Sequence, residues 1–140
     1  MSEQRQSHLV FACGASWYAV PADTAAEVVS FPELTRVPGA PSHLLGVFAH
    51  RGEVIPVVDL ALLLGGKSDL TQRAVLVRLA KGSMALTATK VAGVSAVSGK
   101  LDALGTSGAH LHLRGPARAQ RNEVAVIDPE GLFDFLSQGA

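Results

Sequence analysis

Few residues in this chain have the types and spacing for chemistry. Gly65-Gly66-Lys67-Ser68 imitates the end of a phosphate-binding loop, but the pattern G-x-x-x-x-G-K-[ST] needs glycine at position 61, where the chain has Ala61. The residues before it, 60–64, are wholly apolar, so the glycine pair reads as a helix stop followed by a loop. His110 and His112 alternate on a strand-like stretch and could both ligate zinc, yet a third ligand at sensible spacing is missing; two solvated imidazoles are the simpler reading. Cys13 is the lone cysteine, which excludes an intramolecular disulfide and a multi-cysteine zinc site, and it reads as a small half-buried residue. Asp59 and Asp128 could be imagined as an acid–base pair, but each opens a short apolar run and so has a capping role already. Arg114, Arg118 and Arg121 lack the interleaved aromatics of a single-strand binding groove and read as a solvated loop or rim. No residue is assigned to catalysis, to a cofactor or to a metal. Arg51 differs from all of these: it stands at the tip of a hairpin with apolar flanks, as an ordinary turn residue or as the polar anchor of a binding surface.

The composition narrows the classes of partner. Lys+Arg number 12 and Asp+Glu 12, so the formal charge is zero, which argues against a nucleic-acid binder dependent on a basic excess. With 48% hydrophobic and 17% charged residues in 140, the chain has the material for one globular domain. The start of the chain is polar through His8, and the apolar stretch after it ends at Gly14, too soon for a signal-peptide core, so a cytoplasmic protein is expected. The greasiest stretch, Val54 to Leu64, is interrupted by Pro56 and Asp59 and falls well short of the roughly 20 residues of a membrane span.

The elements that must carry these residues are short. His8–Ala12 and Trp17–Val20 read as a hairpin around Gly14. Thr24-Ala25-Ala26-Glu27 has capping-box spacing and predicts one helical turn before Val28-Val29 resumes extension. Pro32, Pro38 and Pro41 then exclude a long regular element. Val47–His50 and Glu53–Val58, joined by Arg51-Gly52, form a second hairpin, with Pro56 placing its strand at an edge or bulge. Asp59 caps a short helix from Leu60 to Leu64. Ala74–Leu79 and Met84–Val91 form a third hairpin around Lys81-Gly82, and Gly93–Val97 resembles the stretch around Val28-Val29. An offset of 69 residues superposes Gly46 on Gly115, Val57 on Val126, Val58 on Ile127 and Asp59 on Asp128 without a gap. The chain therefore reads as two similar small β-units, each covering apolar surface left by the other.

The segment Gly46-Val47-Phe48-Ala49-His50-Arg51-Gly52-Glu53-Val54-Ile55-Pro56-Val57-Val58-Asp59-Leu60 closely resembles the signature of CheW-type chemotaxis coupling proteins, G-V-x-N-x-R-G before a strand and P-[IV]-[IV]-D-L. The resemblance extends through Leu9-Val10-Phe11, Tyr18, Glu27-Val28, Thr35-Arg36-Val37 and Pro41, and onward through Gly82, Val91, Gly93-Val94 and Asp128. It implies an all-β fold of two intertwined five-stranded SH3-like barrels with short helices, read as one CheW-like domain over 1–140 with units near 8–66 and 73–136 and intertwined termini. It also implies a non-enzymatic adaptor, without cofactor, that sits in chemoreceptor arrays and bridges receptor cytoplasmic helices to the regulatory domain of a CheA-type histidine kinase. Carried over by residue, the receptor groove would involve Ala25, Glu27 and Val28 together with Arg51, Gly52 and Val54.

The departures from the pattern are Ala49 for the family's asparagine, His50 for its leucine, and Ala92 for an acidic residue. Ser98–Leu113, with glycines at 99, 105 and 108, looks shorter and looser than the family's second-barrel insert, which makes a receptor-binding module with weak or absent kinase coupling the alternative. A small enzyme would have only the histidines at 8, 43, 50, 110 and 112 to work with.

Overall fold

The computed structural model describes residues 6–68, 71–104 and 108–138. Ten strands and two helices follow in order: β1 Gln6–Cys13, β2 Ser16–Pro21, β3 Ala25–Ser30, β4 Leu44–His50, β5 Glu53–Val58, α1 Leu60–Leu63, β6 Arg73–Leu79, β7 Gly82–Thr87, β8 Lys90–Ala103, β9 Leu113–Ala119, β10 Asn122–Ile127 and α2 Pro129–Gln138. They build two five-stranded sheets in the orders β1-β2-β10-β9-β8, which closes into a barrel, and β3-β6-β7-β5-β4. The first hairpin of the chain thus sits beside the last three strands, while β3 to β7 form the other sheet.

The repeat is built residue for residue. Shifting β4 and β5 by the 69-residue offset gives the bounds of β9 and β10. Asp59 accepts the backbone N–H of Leu62 at 3.1 Å and Asp128 that of Gly131 at 3.3 Å, so both aspartates cap helices as expected. Their own N–H groups reach His43 O at 2.7 Å and His112 O at 2.8 Å, again matched positions.

Strand alternation explains why the hairpins β1–β2 and β6–β7 read as unbroken apolar runs. Leu9, Phe11, Tyr18 and Val20 face Val75, Val77, Met84 and Leu86 in one core shared by both sheets. The alternate residues Val10 and Ala19 fill the interior of the closed barrel with Ala117, Val124 and Val126. Ala74, Leu76 and Ala85 fill the interior of the other sheet with Phe48, Ile55 and Val57. Strands buried on both faces have no polar side to show. Cys13 is fully part of this shared core, with Sγ 3.5 Å from Thr87 Oγ1, and is buried rather than half-buried.

Several local expectations are corrected. Thr24–Glu27 is no helical turn: Thr24 Oγ1 donates to Pro21 O at 2.8 Å to tighten the preceding turn, and Glu27 is drawn into β3, whose partner β6 offers a full ladder of hydrogen bonds. Pro56 lies in an interior strand, at neither edge nor bulge. Its missing N–H is harmless because parallel pairing of β5 with β7 begins only at Val57. Met84–Val91 is not one strand, since β7 ends at Thr87 and Thr89 N binds Ala12 O at 2.8 Å, passing the chain to the closed barrel. Ser98–Leu113 is less loose than its glycines suggest: β8 runs to Ala103 and pairs with β9 as far as Ala103 opposite Arg114. Gly99 serves that pairing, for a Cβ there would lie 2.9 Å from Pro116 O. Gly105 lies outside the described residues.

Candidate functional site

The β4–β5 turn consists of Arg51 and Gly52, both at positive φ, 52° and 82°, the two-residue geometry whose twist matches antiparallel strands. It projects the Arg51 guanidinium outward, with the side chain 70% exposed. From β3, Glu27 reaches the same place. Its Oε1 accepts a hydrogen bond from His50 Nε2 at 3.1 Å and forms an ion pair with Arg51 Nη1 at 3.3 Å. Because β3 and β4 are the two ends of their sheet, this cluster clasps a seam where the strands do not pair continuously. A further link across it, among the described residues, is the bridge between Thr35, on the chain that follows β3, and Val47, with both N–H···O bonds at 2.9 Å.

Period-two alternation extends the cluster. Glu27 lies on the face of β3 that carries Val29 inward, His50 follows Phe48 on β4, and Glu53 precedes Ile55 on β5. Glu53 accepts from Arg78 Nη1 at 2.6 Å and from Ser83 Oγ at 3.0 Å, adding β6 and β7. Each of the five strands thus gives one polar side chain to the end of the barrel, over a floor that includes the ring of Phe48, 5.9 Å edge-on from His50. The hydrogen bond from His50 is the largest influence on the Glu27 carboxyl; it outweighs the opposing effect of burial and, helped by the weaker pull of the positive charges of Arg51 and Arg78, holds the carboxyl below its usual range.

The expected groove residues divide over the surface. Glu27, Arg51 and Gly52 come together. Val28 stands beside them on the outer face of β3, 38% exposed, and Ala25 packs against the shared core. Val54, 66% exposed, faces away from Glu53 into a cavity of about 490 Å³ between β5, β7 and α2, lined also by Pro56, Met84, Phe133 and Leu136. The repeat produces a second cavity of about 500 Å³ with Trp17, Tyr18, Leu64, Leu113 and Ala125.

The remaining candidates are dispersed. His110 and His112 lie in a 3-10 turn, Gly108–His112, and not on a strand; two positions apart on three residues per turn they point in different directions, and His112 stacks near Phe135 with centroids 5.8 Å apart. Among the described residues no group of three or more His, Cys, Asp or Glu could hold a metal. Arg114 and Arg118 alternate on the solvent face of β9, and Arg118 Nη2 reaches Arg121 O at 3.5 Å. Gly65 and Gly66 end α1, with Gly66 N on Ala61 O at 2.8 Å. Sequence reasoning passed over His50, Glu53 and Arg78 as partners of the site. The signal was present in the alternation of β4, β5 and β6, but only sheet curvature brings those strand ends to Glu27.

Two five-stranded barrels with swapped hairpins, a shared apolar core and a charged clasp on a hairpin tip define an all-β scaffold whose chemistry is on its surface. Residues 7–136 match the model of the CheW-like domain, and the chain belongs to that family, one of scaffolding proteins rather than enzymes. It is 35% identical to protein FrzA of Myxococcus xanthus over 133 residues, covering 86% of this chain and 79% of that one. It is 37% identical to the chemotaxis protein CheW of Helicobacter pylori over 68 residues, 49% of this chain and 41% of that one. The fold superposes on the scaffolding protein TtCheW from Thermoanaerobacter tengcongensis with a TM-score of 0.74 at 22% identity, covering 89% of each chain. The role that this kinship supports is that of an adaptor in chemosensory arrays. Among the described residues no helix is long and apolar enough to cross a membrane.

Proposed function

We propose that this adaptor, working in the cytoplasm without catalysis of its own, binds a chemoreceptor cytoplasmic helix through Glu27, Arg51, Gly52 and the neighbouring Val28, with Ala25 and Val54 at its margins. One observation carries the reading: in a chain of zero formal charge, an arginine with a 70% exposed side chain is held in register by Glu27 at the tip of a rigid turn. A receptor helix that lays apolar residues beside Val28 meets an oriented charge at the rim, the arrangement that fixes register in helix-in-groove recognition. The two halves, 8–66 and 73–136, act as one unit because their hairpins share a core. A CheA-type kinase regulatory domain is the second partner. The pairing of β8 with β9 as far as Ala103 lowers the entropy cost expected of a glycine-rich contact surface, which supports coupling over a receptor-only role.

The test is titration of a receptor cytoplasmic hairpin fragment, followed by calorimetry, against wild type and Arg51→Ala. A loss of tenfold or more with an unchanged thermal midpoint supports the reading. Unchanged affinity returns Arg51 to the role of a turn residue.

A further inference from the structure

The clasp holds one residue with no part in the groove described above. His50 donates Nε2–H to Glu27 Oε1 at 3.1 Å, the same oxygen that is ion-paired with Arg51 Nη1 at 3.3 Å, and its side chain is only 21% exposed. A carboxylate oxygen held by a directional hydrogen bond on one side and an ion pair without one on the other has its position set by the hydrogen bond, the more so when its donor is the more rigid partner. Here that is His50, seated on a β-strand with its ring against Phe48, whereas Arg51 is on the turn and mostly in water.

We propose that His50 is a positioning residue of the clasp: it fixes the Glu27 carboxylate, through it sets how tightly Arg51 is held, and so makes affinity for a carboxylate-bearing helix rise when the imidazole is protonated. The charged groups around His50 are Glu27 from β3, Arg51 from the turn, Glu53 from β5 and Arg78 from β6. Two acids and two arginines balance, and Glu53 is committed to Arg78 and Ser83. A proton on His50 therefore leaves the cluster with one net positive charge. The hydrogen bond to Glu27 then becomes charge-assisted and keeps the carboxylate fixed beside Arg51, while the added positive charge strengthens the attraction of the oriented guanidinium's surroundings for a partner's carboxylate. The affinity half of this inference rests on the receptor reading; the positioning half does not.

Two measurements separate them. In the free protein, NMR titration of the His50 ring and the Arg51 Nε–H is expected to show both moving with one midpoint, and that shared movement vanishing in Glu27→Gln. Independent titration of Arg51, or a shared midpoint unchanged in Glu27→Gln, overturns the positioning role. In the second, a receptor hairpin fragment is titrated at pH 7.5 and 5.5 against wild type, His50→Leu and His50→Gln. Wild type is expected to bind about threefold tighter at the lower pH, the scale of an exposed charge pair. His50→Gln, which keeps an N–H donor but cannot gain a proton, matches wild type at pH 7.5 and stays flat, while His50→Leu is flat and weaker at both. A pH dependence that survives in His50→Leu overturns the proposal. A fragment that wild type binds at neither pH overturns the receptor reading and with it the affinity half, and the NMR result alone then decides the positioning half.

Discussion

The two barrels are built to one plan and finished differently at the seam. In the closed barrel, β8 is fourteen residues long and pairs with β1 on one side and β9 on the other, so backbone hydrogen bonds complete the ring. In its counterpart, β3 has six residues, and the chain then passes Pro32, Pro38 and Pro41 before β4 begins. Proline offers no N–H, so the seam between β3 and β4 is left to one bridge and a charged clasp. The ends of the barrels differ in the same sense. The positions matching His50 and Arg51 are Ala119 and Gln120, and Gln120 reaches Ser95 Oγ at 3.3 Å, a neutral version of the clasp. Trp17 packs over the closed barrel's interior where the other barrel presents Glu53, Arg78 and Ser83. A seam completed by backbone has little chemistry to offer a partner, whereas one completed by side chains carries an exposed arginine.

The sharpest challenge to treating the barrels as separate objects is the core between them. Val58 and Ile127 occupy matched positions, and both belong to the shared core, so Val58→Asp and Ile127→Asp are each expected to unfold the whole molecule. A buried unpaired carboxylate costs several kcal/mol, on the scale of total stability. Circular dichroism melts should lose one cooperative transition; survival of half the sheet signal in either variant would mean that the barrels fold independently.

A smaller effect measures the seams. Gly46 has φ of 151°, and a Cβ there would stand 2.7 Å from Thr35 O, at the bridge that helps hold the open seam. Gly46→Ala is expected to cost about 1–3 kcal/mol in denaturant melts. The matched Gly115 would place a Cβ no closer than 3.3 Å to its neighbours, so Gly115→Ala should cost less. The reverse order would show that the clasp, and not the bridge, sets the strength of the open seam.

At the turns, Gln120→Ala is the control for Arg51→Ala. Both should move stability by less than about 0.5 kcal/mol, and only the arginine variant should weaken binding of a receptor fragment. Equal losses of affinity would place the docking surface across both turns.

The smallest effect is one of pH. Burial in the cavity beside β5 lowers the pKa of His43 from 6.5, so the folded protein favours the neutral imidazole. The stability this contributes is present above pH 6.5 and is lost as pH falls through the depressed value. Glu27, held below 4.5, adds a second loss only further into acid. His43→Gln should flatten the thermal midpoint between pH 7 and 5.5 (about the range of a histidine titration), and an unchanged slope would assign that loss to another group.

Much of the fold was legible because short-range rules govern it. The hairpin turns, the aspartate caps and the 69-residue repeat are local or self-referential patterns, and alternation with turn chemistry is enough to find them. Glu27 and Arg51 could be named from the family's signature, though nothing in their spacing of 24 residues says that they touch. Thr24–Glu27 misled for a related reason: its capping-box pattern is worth about 1 kcal/mol, less than a ladder with β6, whose partner residues lie some fifty positions away. What only the tertiary structure decided is the exchange of hairpins and the curl of the sheet. These place β1–β2 with β8–β10, and they bring Glu27, His50, Glu53, Arg78 and Ser83 from five strands to one barrel end. Burial of both faces of a hairpin and closure of a sheet depend on surfaces far apart in the chain, and period-two alternation specifies which way a side chain points without specifying what it will meet there.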